Sequence, residues 1–160
     1  MIITLAKKID LRFLYEIYNY NVSKNIFSAK KKITFSEHKT WFISEYLKKK
    51  FIYIYIAYVK KKKIGYVRFG KIKNNIYDIS FSLKSKFYGS GLGHRMLKKC
   101  IEKFLRKKKA IIIARVKKKN LNSIKCLIKN NFVKMSNKNF FYDIFCLRNH
   151  LFFKYIKKKN

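Results

Sequence analysis

The chain has no proline, five glycines, three cysteines, three histidines and seven acidic residues among 160 positions. Each scarcity excludes something. With so little glycine and no proline there is no low-complexity linker apart from lysine clusters, and hence no visible domain boundary. Cys100, Cys126 and Cys146 are odd in number, widely spaced and set among apolar neighbours, which suits reduced core thiols better than a disulfide framework or metal knuckle. No two of the histidines share a ligand spacing, so a metal site has no support. Lysines interrupt the apolar residues every few positions. No stretch approaches the roughly 20 apolar residues of a spanning helix, and Met1 to Ala6 runs into Lys7 and Lys8 without a signal-peptide core. A cytoplasmic protein with no membrane span is expected. The length fits one domain and is too short for two independent catalytic ones.

What the chain has in abundance is lysine and aromatic side chains. Apolar residues make up 49% and aromatic ones 18%, so much ring surface must leave water that the chain should fold rather than behave as a disordered polycation. The 41 basic residues against seven acids give a net charge of +34, which at face value calls for a polyanion partner. A second cause competes. Lys (35), Ile (22) and Asn (13) fill 70 of 160 positions, and all three have A- and T-rich codons, so base composition could explain much of the excess without any function. The lysine clusters fall where segments end or turn, as solvated edges rather than one binding stripe, so no specific nucleic-acid partner is expected.

Along the chain, Met1 to Ala6 is a short strand candidate, and Asp10 stands ready to cap a helix carrying Leu11, Leu14, Ile17 and Tyr18. Asn21 to Lys32, with Phe27, reads as an irregular connection. Thr34 and Glu37 form a capping box for a helix through Trp41, Phe42, Glu45 and Tyr46 to Lys48. FIYIYIAYV from Phe51 to Val59 and IGYVRFG from Ile64 make a hairpin, and IYDISFSL from Ile76 to Leu83 a third strand whose Asp78, Ser80 and Ser82 share a face. A helix from Gly91 to Arg106 has Met96, Leu97, Cys100, Ile101, Phe104 and Leu105 on one side. AIIIARV from Ala110 to Val116 reads as a central strand covered on both faces, followed by a helix from Asn122 to Lys129 and strands at Phe132 to Met135 and Phe140 to Leu147. The order is β-α-α-β-β-β-α-β-α-β-β, an α/β fold on a mixed sheet. Residues 1 to 147 would form the domain and 148 to 160 a basic tail, helical or frayed.

Three of the five glycines, Gly89, Gly91 and Gly93, lie within five residues between a strand and an amphipathic helix. Such a turn can aim successive N–H groups and a helix N-terminus at an anion, with pyrophosphate the natural guest. The spacing is not that of a dinucleotide fingerprint, and Gly93-His94-Arg95 is not the end of a Walker loop.

YGSGLGHRML, Tyr88 to Leu97, resembles the R-G-x-G-x-G turn and helix start of the GCN5-related N-acetyltransferases (GNAT). Upstream, ISFSLKSKFYGSGLG looks like that superfamily's fourth strand and acyl-CoA loop. Downstream, VKKKNLNSIKCLIKNNF is similar to its N-x-x-S/A helix closing on Gly-Phe, with Asn120, Ser123 and Phe132 on the marks. EHKTWF (Glu37 to Phe42) and IGYVRF (Ile64 to Phe69) look like the branch that acetylates nucleotide-linked deoxyamino sugars, as in pseudaminic and legionaminic acid synthesis. The sequence departs at three places: Tyr88 stands for Arg or Gln at the loop head, Asn131 for the terminal glycine, and Leu127 for the Tyr that serves as general acid toward the thiolate in many members.

The resemblance implies a GNAT-like fold and acetyl-CoA as acyl donor. It implies that the acyl-pantetheine lies in a splayed gap between the parallel strands Ile76 to Leu83 and Ala110 to Val116, that the backbone of Phe81, Ser82 and Leu83 pairs with the pantetheine arm, that Tyr88, Gly89, Ser90, Gly91, Leu92, Gly93 and His94 hold the pyrophosphate, and that Asn120 and Ser123 help. On this reading Asp78 is the base, and His38 and Glu37 border the acceptor side. Residue chemistry alone leaves other roles open: Asp78 could sit in a salt bridge, Glu37 could serve the cap only, and Trp41 and Phe42 could be core. The expected acceptor is a small-molecule amine, first a nucleotide-linked amino sugar. The alternatives are a protein N-terminus, including ribosomal proteins, or a non-enzymatic basic RNA-binding module. A monomer or a homodimer is expected.

Overall fold

The computed structural model describes residues 1–26, 31–48, 51–135 and 142–148. Its elements are β1 (Ile2–Leu5), α1 (Leu11–Ser23), α2 (Phe35–Trp41, continued as a π-helical stretch Phe42–Lys48), β2 (Ile52–Val59), β3 (Lys62–Lys73), β4 (Ile76–Leu83), α3 (Leu92–Leu105), β5 (Ile111–Lys117), α4 (Leu121–Ile128), β6 (Val133–Met135) and β7 (Tyr142–Arg148). This is the expected order. The strands form one sheet, β1-β2-β3-β4-β5-β7-β6, antiparallel except for the β4–β5 pair. Phe27, Phe140, His150 and the tail from residue 149 lie outside the described residues, whereas Arg148 ends β7. Among the described residues no helix is long and apolar enough to cross a membrane.

The period-two alternation of β2 to β5 divides the core. On one face α3 and α4 bury Met96, Leu97, Phe104 and Leu127 against Val67, Phe69, Ile112 and Ala114. Phe104 stacks on Phe69 with centroids 4.1 Å apart. On the other face α1 and α2 bury Phe13, Leu14, Ile17 and Phe42 against Ile54, Ile56 and Tyr66. The expected capping box forms: Thr34 N donates to Glu37 Oε2 at 2.6 Å and Glu37 N to Thr34 Oγ1 at 3.2 Å.

Three local expectations change. Asp10 makes no side-chain cap on α1; its carboxylate accepts from Lys7 N at 2.8 Å and pairs with Lys63 at 2.6 Å, closing the 3₁₀ turn Lys8–Asp10. The hairpin turn is only Lys60 and Lys61, both at positive φ, so Lys62 and Lys63 belong to β3. β5 is covered on one face only: Ile112, Ala114 and Val116 are buried, while Ile113 and Arg115 face an open cleft. Asn131 takes the left-handed conformation at φ 63°, as a substitute for a C-terminal glycine must.

Candidate active site

The sheet opens where its one parallel pair ends. β4 and β5 are in register only from Ile76↔Ile111 to Asp78↔Ile113. Beyond that, β4 continues on β3 to Leu83 and β5 continues on β7 to Lys117, so Ile79–Leu83 and Ala114–Lys117 turn edges that have no strand partner among the described residues toward a fork. Unpaired strand edges are backbone donors and acceptors for an extended ligand. The end of α1 is tied to both arms: Asn21 Nδ2 donates to Ser82 Oγ at 2.7 Å, and Lys117 Nζ donates to Asn25 Oδ1 at 2.6 Å. A cleft of about 980 Å³ runs along the fork, lined by residues of α1, α2 and β2 to β5 together with Asn120, Ser123 and Ile144.

One wall is a column of rings. The His38 imidazole stacks between Tyr18 (centroids 6.3 Å) and Trp41 (5.6 Å), with Tyr15 at 6.0 Å. His38 is only 4% exposed and its Nε2 has no hydrogen-bond partner among the described residues. Burial lowers its pKa, so the ring is neutral near pH 7. Beside it Glu37 also lines the cleft, but both halves of its capping box hold its carboxylate below the usual range.

The floor carries a cross-strand ion pair. Arg68 Nη1 donates to Asp78 Oδ2 at 3.0 Å, and both side chains line the cleft with Tyr66 and Ser80 on the same sheet face. The register sets Arg68 opposite Ser80 and Gly70 opposite Asp78, so the pair is diagonal.

Beyond the fork, the turn into α3 holds Gly89 at φ 76° and Gly91, the N-cap, at φ 72°. A Cβ at either would meet nothing within 4 Å, so glycine serves the backbone conformation there. At Gly93 the cause is contact: a Cβ would lie 3.2 Å from Leu83 Cδ1 and 3.5 Å from Cys126 Sγ. Ser90 Oγ donates to Phe87 O at 2.6 Å and accepts from Leu92 N at 3.4 Å, fixing the turn. The result is a 14-residue helix whose first N–H groups, at its positive dipole end, have no intrahelical acceptor.

A family model described as an acetyltransferase (GNAT) domain matches residues 2–133. The chain belongs to the GNAT acetyltransferase family. The ribosomal-protein-alanine N-acetyltransferase of Brucella melitensis shares 19% identity over 91% of this chain and 97% of that one, with a TM-score of 0.76. The protein yncA of Salmonella typhimurium, solved with its cofactor acetyl-CoA, shares 19% over 91% and 90%, with a TM-score of 0.74. Spermidine N-acetyltransferase of Vibrio cholerae, in complex with CoA and spermine, shares 13% over 91% and 92%, with a TM-score of 0.77. At these identities the likeness is one of fold. No curated protein sequence matches the chain.

As a GNAT enzyme the protein is an acyltransferase with acetyl-CoA as donor and an amine as acceptor. Its structure brings together Glu37, His38, Asp78, Phe81, Asn120 and Ser123 in the cleft. Ser82 turns its hydroxyl to Asn21, and Leu83 packs beside Gly93. Asn120 Oδ1 is occupied as the N-cap of α4, accepting from Ser123 N at 3.2 Å. His94 Nδ1 is 3.1 Å from Asn130 Nδ2, which also donates to Cys126 O at 2.8 Å, so that ring couples α3 to α4. Tyr88 is 44% exposed at the loop head. Leu127, which the resemblance sets where many members carry a Tyr, is fully buried in the core. Sequence reasoning missed Arg68 and Tyr18 as cleft residues. The alternation of β3 and β4 held the signal for Arg68, which shares a face with Asp78 once the register is known.

Proposed function

We propose that the acceptor is the free α-amino group of a peptide or protein N-terminus. The observation that carries this is the weakness of the bases in the cleft. His38 is pushed down by burial, Glu37 is held down by its cap, and Asp78 is already paired with Arg68. Carboxylates and such an imidazole are poor partners for stripping an ε-ammonium of pKa about 10.4, whereas an α-ammonium at about 7.7–8.0 is partly neutral at physiological pH. The apolar and aromatic wall of Leu14, Tyr18, Ile33, Trp41 and Ile54 gives a peptide more to contact than it gives a polyamine. That the Brucella relative is named for ribosomal-protein alanine agrees. The EHKTWF and IGYVRF motifs that resemble the amino-sugar branch are in good part core here: Phe42, Ile64, Val67 and Phe69 are fully buried and Glu37 is capping.

The donor fits the residues present. The free edge of Phe81 to Leu83 offers backbone groups to an extended arm, and Tyr88 to His94 offer a left-handed turn and a helix N-terminus to a pyrophosphate. When bound, acetyl-CoA supplies an activated thioester carbonyl. In this scheme Asp78 takes the proton of the attacking amine, His38 lines the acceptor side, and Glu37 holds α2 in place. Leu127 has no proton to give, so solvent would protonate the departing thiolate, which is a far better leaving group than an alkoxide and depends less on a general acid.

The experiment is a competition among a tripeptide with a free N-terminus, Nα-blocked lysine, spermidine and a nucleotide-linked 4-amino sugar, with acetyl-CoA at pH 7.5. The tripeptide should be acetylated at least about tenfold faster than Nα-blocked lysine or spermidine, in line with its larger neutral fraction, and faster than the sugar because its side chains meet the apolar wall. Preferential acetylation of the sugar would return the acceptor to the amino-sugar class, and preference for spermidine or lysine would refute the base argument.

A further inference from the structure

The Arg68–Asp78 pair has a seat that only glycine allows. A Cβ on Gly70 would lie 2.4 Å from Asp78 Oδ1 and 2.7 Å from Arg68 Nη2, so both charged ends rest over the Gly70 Cα. Folded down in this way, the guanidinium reaches Asp78 through Nη1 alone, at 3.0 Å. Its Nε is buried and has no partner among the described residues, although the side chain lines the acceptor cleft. A buried donor left unmade is costly, and a guanidinium is a rigid fork built to hold oxygen. The carboxylate beside it is 43% exposed toward the same space.

We propose that this pair reads an α-aminoacyl unit. The Asp78 carboxylate receives the amine, and the donors of Arg68 receive the carbonyl oxygen that a peptide N-terminus always carries one carbon away from that amine. An acceptor and a donor held side by side match an N–Cα–C=O fragment. A polyamine or a lysine side chain has no oxygen to offer Arg68. Arg68 is thus a specificity-determining residue, and Gly70 a positioning residue that acts only through the pair. This inference rests on the reading of the acceptor as a peptide N-terminus and says how that acceptor is told from other amines.

The test compares L-alaninamide with isopropylamine, which has the same amine and Cα but no carbonyl. Taking ratios between enzyme variants cancels the different basicities of the two amines. In Arg68→Gln, kcat/KM for alaninamide should fall so much further than for isopropylamine that the ratio of the two drops about tenfold or more, as expected when a charge-assisted hydrogen bond is lost. Gly70→Ala should lower the ratio in the same direction while keeping both charged groups. Its new Cβ meets only the ends of flexible side chains, so the melting temperature and calorimetric acetyl-CoA affinity should stay near those of the wild type. Equal losses on both acceptors, or no loss in either variant, would overturn the role of the pair and leave the peptide reading intact. A wild type that turns over neither alaninamide nor peptides would overturn both.

Discussion

His38 sits in a stack of rings with an Nε2 that has no partner among the described residues, an arrangement that costs stability unless something fills it. The sign of its pH dependence follows from the lowered pKa. The folded state resists protonation, so the contribution is fully present above the unfolded value of about 6.5 and is lost as pH falls through the lower folded one. His38→Phe keeps the stack and removes the titration. Its melting temperature should therefore fall less than that of the wild type between pH 7 and pH 5. The acceptor KM should rise by about two- to tenfold, the scale of one hydrogen bond. An unchanged pH dependence of melting would show that this imidazole does not titrate with folding.

At the scale of elements, the site is made by two failures of pairing: the β4–β5 ladder that stops after Asp78↔Ile113, and a left-handed turn before α3. Gly91→Val places a β-branched residue at φ 72°, where the surroundings leave room and the backbone does not. The folded protein should survive with a loss of about 1–3 kcal/mol, while the thermal stabilisation by acetyl-CoA disappears. Retention of that stabilisation would move the pyrophosphate away from this turn. The glycine cluster, the capping box of Thr34 and Glu37 and the strand alternation were legible in the sequence because each is a local rule. The fork was not. AIIIARV reads as a strand buried on both faces, and nothing local in it reveals that its partner diverges after three residues, leaving Ile113 and Arg115 at a cleft. The diagonal of Arg68 and Asp78 was hidden for the same reason, since it depends on the β3–β4 register.

Over the whole molecule the scarce acids are almost all spoken for. Asp10, Glu16, Asp78 and Asp143 each pair with a cation, and Glu37 is taken by its cap. The remaining charge is a broad positive field, which draws phosphate-bearing ligands toward the cleft without specifying the acceptor. Acceptor choice belongs to the cleft, and the most direct measurement places two competing amines on one molecule. A peptide with a free N-terminus and an internal lysine, incubated with enzyme and acetyl-CoA, is sequenced by fragment-ion mass spectrometry. The proposed acceptor predicts a single acetyl group on the α-nitrogen; an acetyl group on the lysine ε-nitrogen, or an unmodified peptide under conditions in which a nucleotide-linked amino sugar is acetylated, would contradict it.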